Sequence, residues 1–431
     1  MVQKLSLCLV LIAVVAASAQ SQVLTSHPHT GVEQVPLGDE VYAFLRHLSV
    51  RGAIQGYSEA ELPISEYEVA GFLHQAESAK LSDAERALLQ KYLRTYAHEP
   101  RNAVTMFPSQ DAEPLFFSGI FTDKDKYLYQ WFNDSTKSDL FVHGIASAEY
   151  RHKLSPETPS LELGNIGARV YGTLSGHVGY FFEATNGVTH GDSALALEDP
   201  LLASNRNYSV FTHQYFSNTS AELSYNDDWF TGKIAREGLA IGGGYEDDNV
   251  ILSASEVPLF DFVSLGAKVG AVRYEAVVAS LTNDSLTIYP GLKYSVWHDL
   301  TVQVTKDFEV GYTDNMVFSD RIVLGYLSPF SWLKAVEWGT SDQDKDNANM
   351  SLHARWRITP GLEVRGQGLV DDVNFSQIGT GDWQNKFAWQ AGGMWAGAFG
   401  VPDLDFEGEW TRVEPYTYTH WNTDDNRYTN A

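Results

Sequence analysis

The sequence predicts a mainly β protein, a large antiparallel transmembrane β-barrel of about 16–18 strands with a small N-terminal helical bundle. Three observations support this fold class. After Leu115, short runs of alternating apolar and polar residues recur roughly every dozen residues. Short turns and long polar loops connect these runs in alternation. Beyond the N-terminus, the sequence contains no run of about eighteen apolar residues, the signal of a membrane-spanning helix.

The clearest alternation spans residues 351–371 and is interrupted by one Pro-Gly turn. Because successive side chains of a β-strand project to opposite faces, each half of this stretch has one apolar and one polar face. A tight hairpin that keeps each row on its own face places Arg357 opposite Glu363, and His353 opposite Gln367. Both strands then carry charges of both signs on one face.

Two architectures fit such two-sided strands. A soluble sheet turns its polar side to water, whereas a membrane barrel turns apolar residues to lipid and polar residues to its lumen. The connections favour the barrel, because such barrels have short turns at one end and long loops at the other. The short class includes 359–361 and 401–403, and the long class includes 340–349, 372–385 and the stretch from Pro415 onward.

Composition narrows the possible partners. The formal net charge of −25 argues against nucleic acid, since phosphates repel an acidic surface. Aromatic residues make up 13% of the chain, which suits the aromatic girdles of an outer-membrane barrel. A secreted β-sandwich or propeller is also rich in aromatic residues, so this composition supports the barrel without deciding it.

The N-terminus has the features of a secretory signal peptide, residues 1–19. Lys4 precedes an uncharged apolar run, and Ala17-Ser18-Ala19 supplies a small-residue cleavage site. The protein is therefore expected to be exported and to reside in the cell outer membrane. The single cysteine, Cys8, lies inside the signal, so we expect neither disulfides nor cysteine-bound metals in the mature chain.

Residues 36–100 predict a periplasmic plug of three short helices, at about 38–50, 65–78 and 82–98. The second and third open with the capping-box pattern of Ser followed three residues later by Glu. A bundle this small has a thin core and is marginal alone, so we expect it to dock at the periplasmic mouth of the barrel. The alternative is an independent module on a linker.

The barrel is predicted to occupy residues 115–431. Barrels of this class usually close with a strand that ends in an aromatic residue, whereas residues 428–431 fall in a predicted outer loop. An open barrel leaves unpaired backbone groups in lipid. The expectation is therefore that the C-terminal end is truncated and that the final strand or strands are missing.

In order along the chain, several segments resemble the Wzi-type capsule-assembly proteins of the bacterial outer membrane. These segments are Val41–Leu45, Arg51-Gly52, Gly56-Tyr57, Gly242–Gly244, Ile251–Ser253, Trp297–Leu300, Tyr326–Pro329, Leu369–Asp372, Asn385-Lys386 and Glu414–His420. The resemblance implies a monomeric barrel of about eighteen strands with a periplasmic helical plug. It also implies retention of capsular or extracellular polysaccharide at the cell surface, in the manner of a lectin and not of an enzyme. The expected partners are this polysaccharide, outer-membrane lipid and the barrel-insertion machinery.

One group of residues combines hydrogen-bonding groups with aromatic rings at predicted outer loops. Sugars bind by this pairing, with hydroxyls on carboxylates and amides and C–H faces on flat rings. The candidate polysaccharide-binding residues are Asp371, Asp372, Asn374, Trp383, Asn385, Tyr416, Tyr418, His420 and Trp421. Two other interpretations stay open: the two aspartates hold a loop through lumen arginines, and the aromatic residues near 416–421 belong to the interfacial girdle.

A second group is the charged row predicted to face the lumen. Its members are Arg355, Arg357, Glu363, Arg365, Glu407 and Glu409. The row either lines a channel or fills it with salt bridges, and its mixed signs favour filling.

The sequence predicts no catalytic residue, metal or cofactor. Asp342-x-Asp344-x-Asp346 resembles the start of a calcium loop, but Asn347 replaces the glycine and His353 the final glutamate. No nucleophile elbow or His-Glu-x-x-His motif occurs. Three hypotheses follow: a polysaccharide-binding barrel, a porin or solute channel with an S-layer-homology-like N-terminal module, and an outer-membrane enzyme.

Overall fold

In a computed structural model of the chain, a short helical segment is followed by a long antiparallel sheet. The structure describes residues 28–97, 104–106, 127–154, 159–199, 202, 208–210, 213–242, 259–281, 293–319, 321–339, 346–373, 375–377, 380 and 385–419. The predicted signal peptide and the predicted truncated end lie outside these residues.

The three predicted helices are present, and the second and third begin at their predicted caps. They are α1 (Glu40–Arg51), α2 (Glu66–Ala76) and α3 (Asp83–Tyr96). Ser65 forms a capping box with Glu68 at the start of α2, and Ser82 forms one with Glu85 at the start of α3. Each box satisfies backbone N–H groups that have no partner within the helix. Helix α1 ends at Gly52, whose φ of 76° is the left-handed conformation that glycine adopts easily.

Within the described ranges, sixteen strands form one antiparallel sheet. Each strand pairs with the strands next to it in sequence, except that β5 and β6 do not pair with each other and both pair with β7. The strands are β1 (Val104–Met106), β2 (Tyr127–Asn133), β3 (Ser138–His152), β4 (Ser160–Leu174), β5 (Val178–Gly191), β6 (Tyr208–Val210), β7 (His213–Asn226), β8 (Phe230–Glu237), β9 (Phe260–Val269), β10 (Val272–Leu281), β11 (Lys293–Thr305), β12 (Phe308–Ser319), β13 (Asn347–Thr359), β14 (Leu362–Asp372), β15 (Lys386–Trp395) and β16 (Phe406–Val413). Two short helices lie in long connections, α4 (Ser193–Leu197) and α5 (Leu333–Gly339).

Short and long connections alternate over most of the sheet; the exceptions are 396–405, which has ten residues at the end of the short turns, and 153–159, which has seven residues at the opposite end. Short connections meet at one end of the strands, which we call the turn end; they are residues 134–137, 175–177, 227–229, 270–271, 306–307, 360–361 and 396–405. We call the opposite ends of the strands the loop end; the stretches of sequence that join them are residues 153–159, 192–212 (which include β6), 238–259, 282–292, 320–346 and 373–385. The predicted loop boundary at residue 349 is wrong, because β13 already begins at Asn347.

The two faces of the sheet are sorted as predicted, and the predicted hairpin has the predicted register. Arg357 pairs with Glu363, and His353 pairs with Gln367. Apolar side chains are exposed on one face, among them Ile166, Ile234, Val304, Leu352, Trp356 and Trp410. Polar side chains are buried on the other, among them Glu222, Lys233, Glu309, Asn315, His353 and Glu363. This inversion of the arrangement in water-soluble sheets identifies the fold as a transmembrane β-barrel with apolar residues outside.

The sheet curls around the helical segment at the turn end. Backbone N–H groups of Gly31 and Val32 donate to Oγ1 of Thr173, where β4 ends, at 2.9 and 3.1 Å. On the far side, Arg355 of β13 donates from Nη2 to the carbonyl of Tyr57 at 2.8 Å. Residues 28–97 are therefore held by strands from both halves of the sheet, and we call them the plug. Among the described residues, no helix is long and apolar enough to cross a membrane.

The plug has its own apolar core, which explains why so short a segment keeps its shape. Tyr42, Leu45, Leu48, Ile54 and Leu73 are completely buried in one cluster. Burying side chains of this size stabilises the segment by roughly 1.5–3 kcal/mol each relative to exposure. The three helices thus share one core while their polar residues remain free to bond the barrel.

Candidate functional site

The candidate site is the interior of the barrel, which is closed at the turn end by the plug. His47 of α1 links two elements: its Nδ1 lies 2.6 Å from Oδ2 of Asp405, and its Nε2 lies 2.8 Å from Oε1 of Glu85. Burial alone lowers the pKa of His47, but the hydrogen bonds to Asp405 and Glu85 outweigh it and the net pKa is raised. The imidazole between two carboxylates therefore ties α1 to α3 and to the turn before β16, and it binds both carboxylates more strongly when it is protonated.

The plug also joins a network of buried charges on the inner wall. Glu309 of β12 lies 3.0 Å from Arg273 and 3.8 Å from Arg355, and it accepts a hydrogen bond of 2.8 Å from Ser58 of the plug. Arg355 also lies 3.6 Å from Glu363. Alternating charges in contact neutralise each other where water is scarce, so the network stabilises the docked plug only while it stays complete.

The same network continues toward the last described strand. Arg365 of β14 lies 2.5 Å from Glu409 and 3.6 Å from Glu407, and Arg46 of α1 lies 3.6 Å from Glu407. Arg357 pairs with Asp307 at 2.5 Å and donates to a backbone carbonyl of α1. All six predicted lumen charges thus lie on the inner wall and form ion pairs that fill this part of the lumen.

The closure also includes a stretch that lies N-terminal to the predicted plug of residues 36–100 and that was not predicted to contribute to it. Residues 28–35 run along the inner wall, where the buried Glu33 accepts a 2.8 Å hydrogen bond from Thr173. Burial, with the charge of nearby Asp139 adding, raises the pKa of Glu33 to about 8. The sequence does indicate that this stretch is packed against other residues, because Val32 and Val35 form an apolar face within it, and both are buried.

A second closure lies nearer the loop end and is apolar. Phe260, Phe262, Val277, Trp297 and Leu369 all project inward from strands β9, β10, β11 and β14. They pack with residues of the long connections, namely Leu239, Ile241 and Tyr418. The inner rows of these strands thus carry large apolar side chains that meet across the interior, in addition to the charged residues of the lumen.

A cavity of ≈ 250 Å³ remains beside the plug, against strands β8–β11. Its lining combines Lys233 and Arg273 with Glu275 and Asp299 from the inner wall, and aromatic and polar residues of the plug. The cavity is small compared with an open channel, although it is lined by charges of both signs.

The predicted polysaccharide-binding residues are placed mainly to hold a loop. Asp371 is buried at the end of β14 and accepts a 2.7 Å hydrogen bond from the backbone N–H of Tyr418. Lys386 donates 2.7 Å to Asp372 and 2.9 Å to the carbonyl of Thr419. The predicted start of the outer loop at residue 372 is wrong, because β14 extends through Asp372. The aspartates thus hold a loop in place, as in the alternative interpretation, but through a backbone N–H and Lys386 and not through lumen arginines.

The remaining candidates divide into three groups. Tyr416 is 60% exposed on the segment that Asp371 and Lys386 hold, whereas Tyr418 packs into the apolar closure. Asn385 donates 3.0 Å to the carbonyl of Gln377. Asn374, Trp383, His420 and Trp421 lie outside the described residues.

Of the three aspartates in the calcium-like motif, the one that the structure describes, Asp346, is held by protein side chains. Asp346 accepts hydrogen bonds from Arg321 at 2.6 Å and from Tyr326 at 2.8 Å. Within the described ranges, no group of three or more His, Cys, Asp or Glu residues is arranged to hold a metal ion.

No protein-family profile matches the chain, and no curated protein matches it. Solved structures align with it at low similarity. OccK8 (OprE) of Pseudomonas aeruginosa is 10% identical with a TM-score of 0.34, covering 64% of this chain and 83% of that chain. OmpT, an outer membrane protein of Vibrio cholerae, is 10% identical with a TM-score of 0.26, covering 67% and 91%. A BenF-like porin from Pseudomonas fluorescens Pf-5 is 6% identical with a TM-score of 0.23, covering 64% and 94%. Structural similarity at this level supports no conclusion about function.

Proposed function

We propose that this chain is a plugged outer-membrane β-barrel that retains capsular or extracellular polysaccharide at its loop end, without catalysing a reaction. The observation that supports it best is the double closure of the lumen, by the plug at one end and the apolar cluster nearer the other. A barrel closed in this way has its loop-end surface, and not its interior, available to a large polymer. The proposal makes the chain a Wzi-type protein, surrounded as a monomer by outer-membrane lipid after assembly by the barrel-insertion machinery.

The segment 414–419 supplies the recognition chemistry in this proposal. The ring of Tyr416 is exposed. The carboxylate of Asp372 is also exposed, and Lys386 links it to the segment that carries Tyr416. A flat ring beside a carboxylate fits the C–H face and the hydroxyls of a sugar. Asp371 and Lys386 then act as positioning residues, since they hold the backbone of this segment against the barrel.

Retention of polysaccharide on whole cells tests this proposal. We expect Tyr416→Ala to lower the amount of surface polysaccharide retained by cells that depend on this protein. Tyr150→Ala is the matched control, because Tyr150 is 64% exposed but lies on the outer wall near the same end. Equal retention by the two variants and the unchanged protein contradicts the assignment of Tyr416.

The second candidate function is a porin or solute channel. The cavity beside the plug favours it, because opposite charges line a space that a moving plug would enlarge. Planar-bilayer conductance separates the two candidates. The plugged barrel is expected to be nearly silent, whereas steady conductance by the unchanged protein favours the channel.

A further inference from the structure

The long connection between β12 and β13 folds back over the outer wall of the barrel. Val323, Tyr326, Leu333 and Val336 of this connection pack on Val278, Tyr294, Val296, Met316, Phe318 and Ala348. Those six strand residues belong to the outer row, since their neighbours Val277, Ser295, Asn315 and Asn349 face the interior. The segment 321–339, which we call the outer-wall segment, therefore covers a patch of the surface that elsewhere is exposed.

The outer wall beneath this segment is unusually polar, and each polar group has a partner in the segment. Tyr274 donates its hydroxyl to the carbonyl of Pro329. His298 bonds the backbone of Ser331, and Tyr312 bonds the side chain of Trp332. Asp314 accepts from the backbone N–H of Leu333 at 2.9 Å.

These four wall residues lie on three neighbouring strands and meet consecutive parts of the segment. His298 and Asp314 are direct cross-strand partners. Polar groups on the lipid side of a barrel are costly unless they are satisfied. Here each of the four groups makes at least one bond to the segment, three of them to its backbone and Tyr312 to the side chain of Trp332.

Between residues 322 and 338, every residue of the outer-wall segment that is more than about a third exposed is apolar, while Ser328, Ser331 and Lys334 are half-buried. Phe330 is 90% exposed and Leu324 is 77% exposed. The other exposed residues in this range are Ile322, Leu327, Ala335 and Trp338. The polar residues point elsewhere: Arg321 pairs with Asp346 at 2.6 Å, and Lys334 pairs with the buried Glu337 at 2.5 Å. A loop in water has the opposite arrangement.

The segment reaches far along the wall. Tyr274, whose partner is Pro329, lies in the same cross-strand row as Leu300 and Tyr312. From Tyr312 to the loop-end residue Ser319 the strand rises roughly 20 Å. The apolar band of an outer-membrane barrel is about 25 Å tall. The exposed apolar residues of the segment thus continue the apolar surface of the wall, represented by Val304, Leu352 and Trp356.

We infer that residues 321–339 are embedded in the hydrocarbon of the membrane, as a fixed insertion on the outer wall, and that lipid acyl chains are the partner of its exposed face. The inference rests on the membrane placement contained in the proposed function, but not on polysaccharide binding. Lipid is favoured over a protein partner because the face joins, without a polar rim, a wall that contacts lipid on both sides.

Site-specific lipid quenching tests this inference on the full-length protein in phosphatidylcholine vesicles. The chain has one cysteine, Cys8, so Cys8→Ser provides a thiol-free background. Single cysteines are then placed by Leu324→Cys and Phe330→Cys, and labelled with an environment-sensitive fluorophore. Val304→Cys is the matched lipid-facing control on the bare wall, and Thr380→Cys is the aqueous control at the loop end. Heat-modified gel mobility confirms that each variant is folded.

We expect doxyl-labelled lipid to quench the labels at 324 and 330 about as strongly as at 304. A membrane-impermeant maleimide should react with the unlabelled cysteines at 324 and 330 roughly tenfold more slowly than at 380, because hydrocarbon excludes it. If the label at 304 is quenched but the cysteines at 324 and 330 react fast with maleimide, this inference is overturned and the proposed function is not affected. Protection of 324 and 330 without quenching, accompanied by cross-linked dimers, also overturns it, since a second copy then covers the face. No quenching at 304 overturns the membrane placement itself, and with it the proposed function.

Discussion

The imidazole Nδ1 of His47 lies 2.6 Å from Oδ2 of Asp405, although the two residues are 358 positions apart in the chain. This contact joins the first helix of the plug to the turn before the last described strand. The other ring nitrogen contacts Glu85 of α3, so one side chain fixes the plug internally and fixes it to the barrel. Closure of the turn end therefore depends in part on the protonation of one histidine.

We expect docking of the plug to weaken as the pH rises above neutrality. The pKa of His47 is raised above its ordinary value of 6.5, because bonds to Asp405 and Glu85 outweigh the effect of burial. A raised pKa means that the docked state binds the proton more tightly. This contribution is fully present below pH 6.5 and is lost as the pH rises through the raised pKa. Hydrogen exchange of helices α1 to α3, followed from pH 5 to pH 9, measures it.

The control for this prediction is His47→Gln, which should remove roughly 1–3 kcal/mol of docking stability near pH 6 and flatten the profile on its alkaline side. The pKa values of Asp405 and Glu85 are lowered, mainly by bonds that outweigh burial. Their contributions are present above the ordinary values of 3.8 and 4.5 and are lost as the pH falls through the lowered ones. An unchanged alkaline profile in His47→Gln would show that the histidine does not control docking.

Glu33 predicts a separate pH effect on residues 28–35. Burial, with the charge of Asp139 adding, raises its pKa from 4.5 to about 8, so the docked state favours the protonated carboxyl. Docking of this segment should therefore weaken as the pH rises from 4.5 through about 8. Glu33→Gln keeps a neutral side chain of similar size at every pH. We expect it to protect the amides of residues 28–35 at pH 9, with little change at pH 4. Equal protection of the variant and the unchanged protein at pH 9 would refute this effect.

Deleting one charge from the buried network should loosen the plug far more than deleting an exposed charge. In Glu309→Gln, Arg273 and Arg355 lose their shared carboxylate while both remain buried. We expect a loss of roughly 3–5 kcal/mol of stability, together with transient conductance in planar bilayers. Arg236→Ala is the matched control, because its pair with Asp261 is exposed and should contribute less than about 1 kcal/mol. Equal loss of stability in both variants contradicts the special role of the network.

Local periodicity predicted the parts of the fold that depend on short-range physics. The alternation around residues 351–371 predicted both strands and the pairing of Arg357 with Glu363, because a strand has only two faces and a tight turn leaves one register. The capping boxes at Ser65 and Ser82 predicted two helix starts for the same reason. The inward position of the six lumen charges followed from their shared row.

Contacts between segments that are far apart in the chain could not be predicted, because they leave no periodic pattern in the sequence. The strand that includes Phe262 alternates like its neighbouring strands, and only the curvature of the whole sheet brings Phe262 into one cluster with Tyr418. Asp314 looks in sequence like one more lumen carboxylate, but its position in the register places it on the outer row. Asp371 likewise combines with a backbone N–H that is 47 positions away, which no local pattern encodes.

The outer position of Asp314 yields the last prediction, which concerns how the outer-wall segment is held. Asp314→Ala removes the acceptor of the Leu333 N–H and leaves that donor unpaired against the wall. We expect a local cost of roughly 1–3 kcal/mol and partial detachment of residues 329–333. A cysteine placed by Phe330→Cys in the thiol-free background should then react faster with impermeant maleimide than it does beside an intact Asp314. Asp261→Ala is the matched control, since Asp261 is an exposed aspartate of the outer row on β9 that pairs with Arg236. If both aspartate variants leave the reaction rate at 330 unchanged, the segment is held by its apolar contacts with Met316 and Phe318, and the hydrogen bond to Asp314 is dispensable.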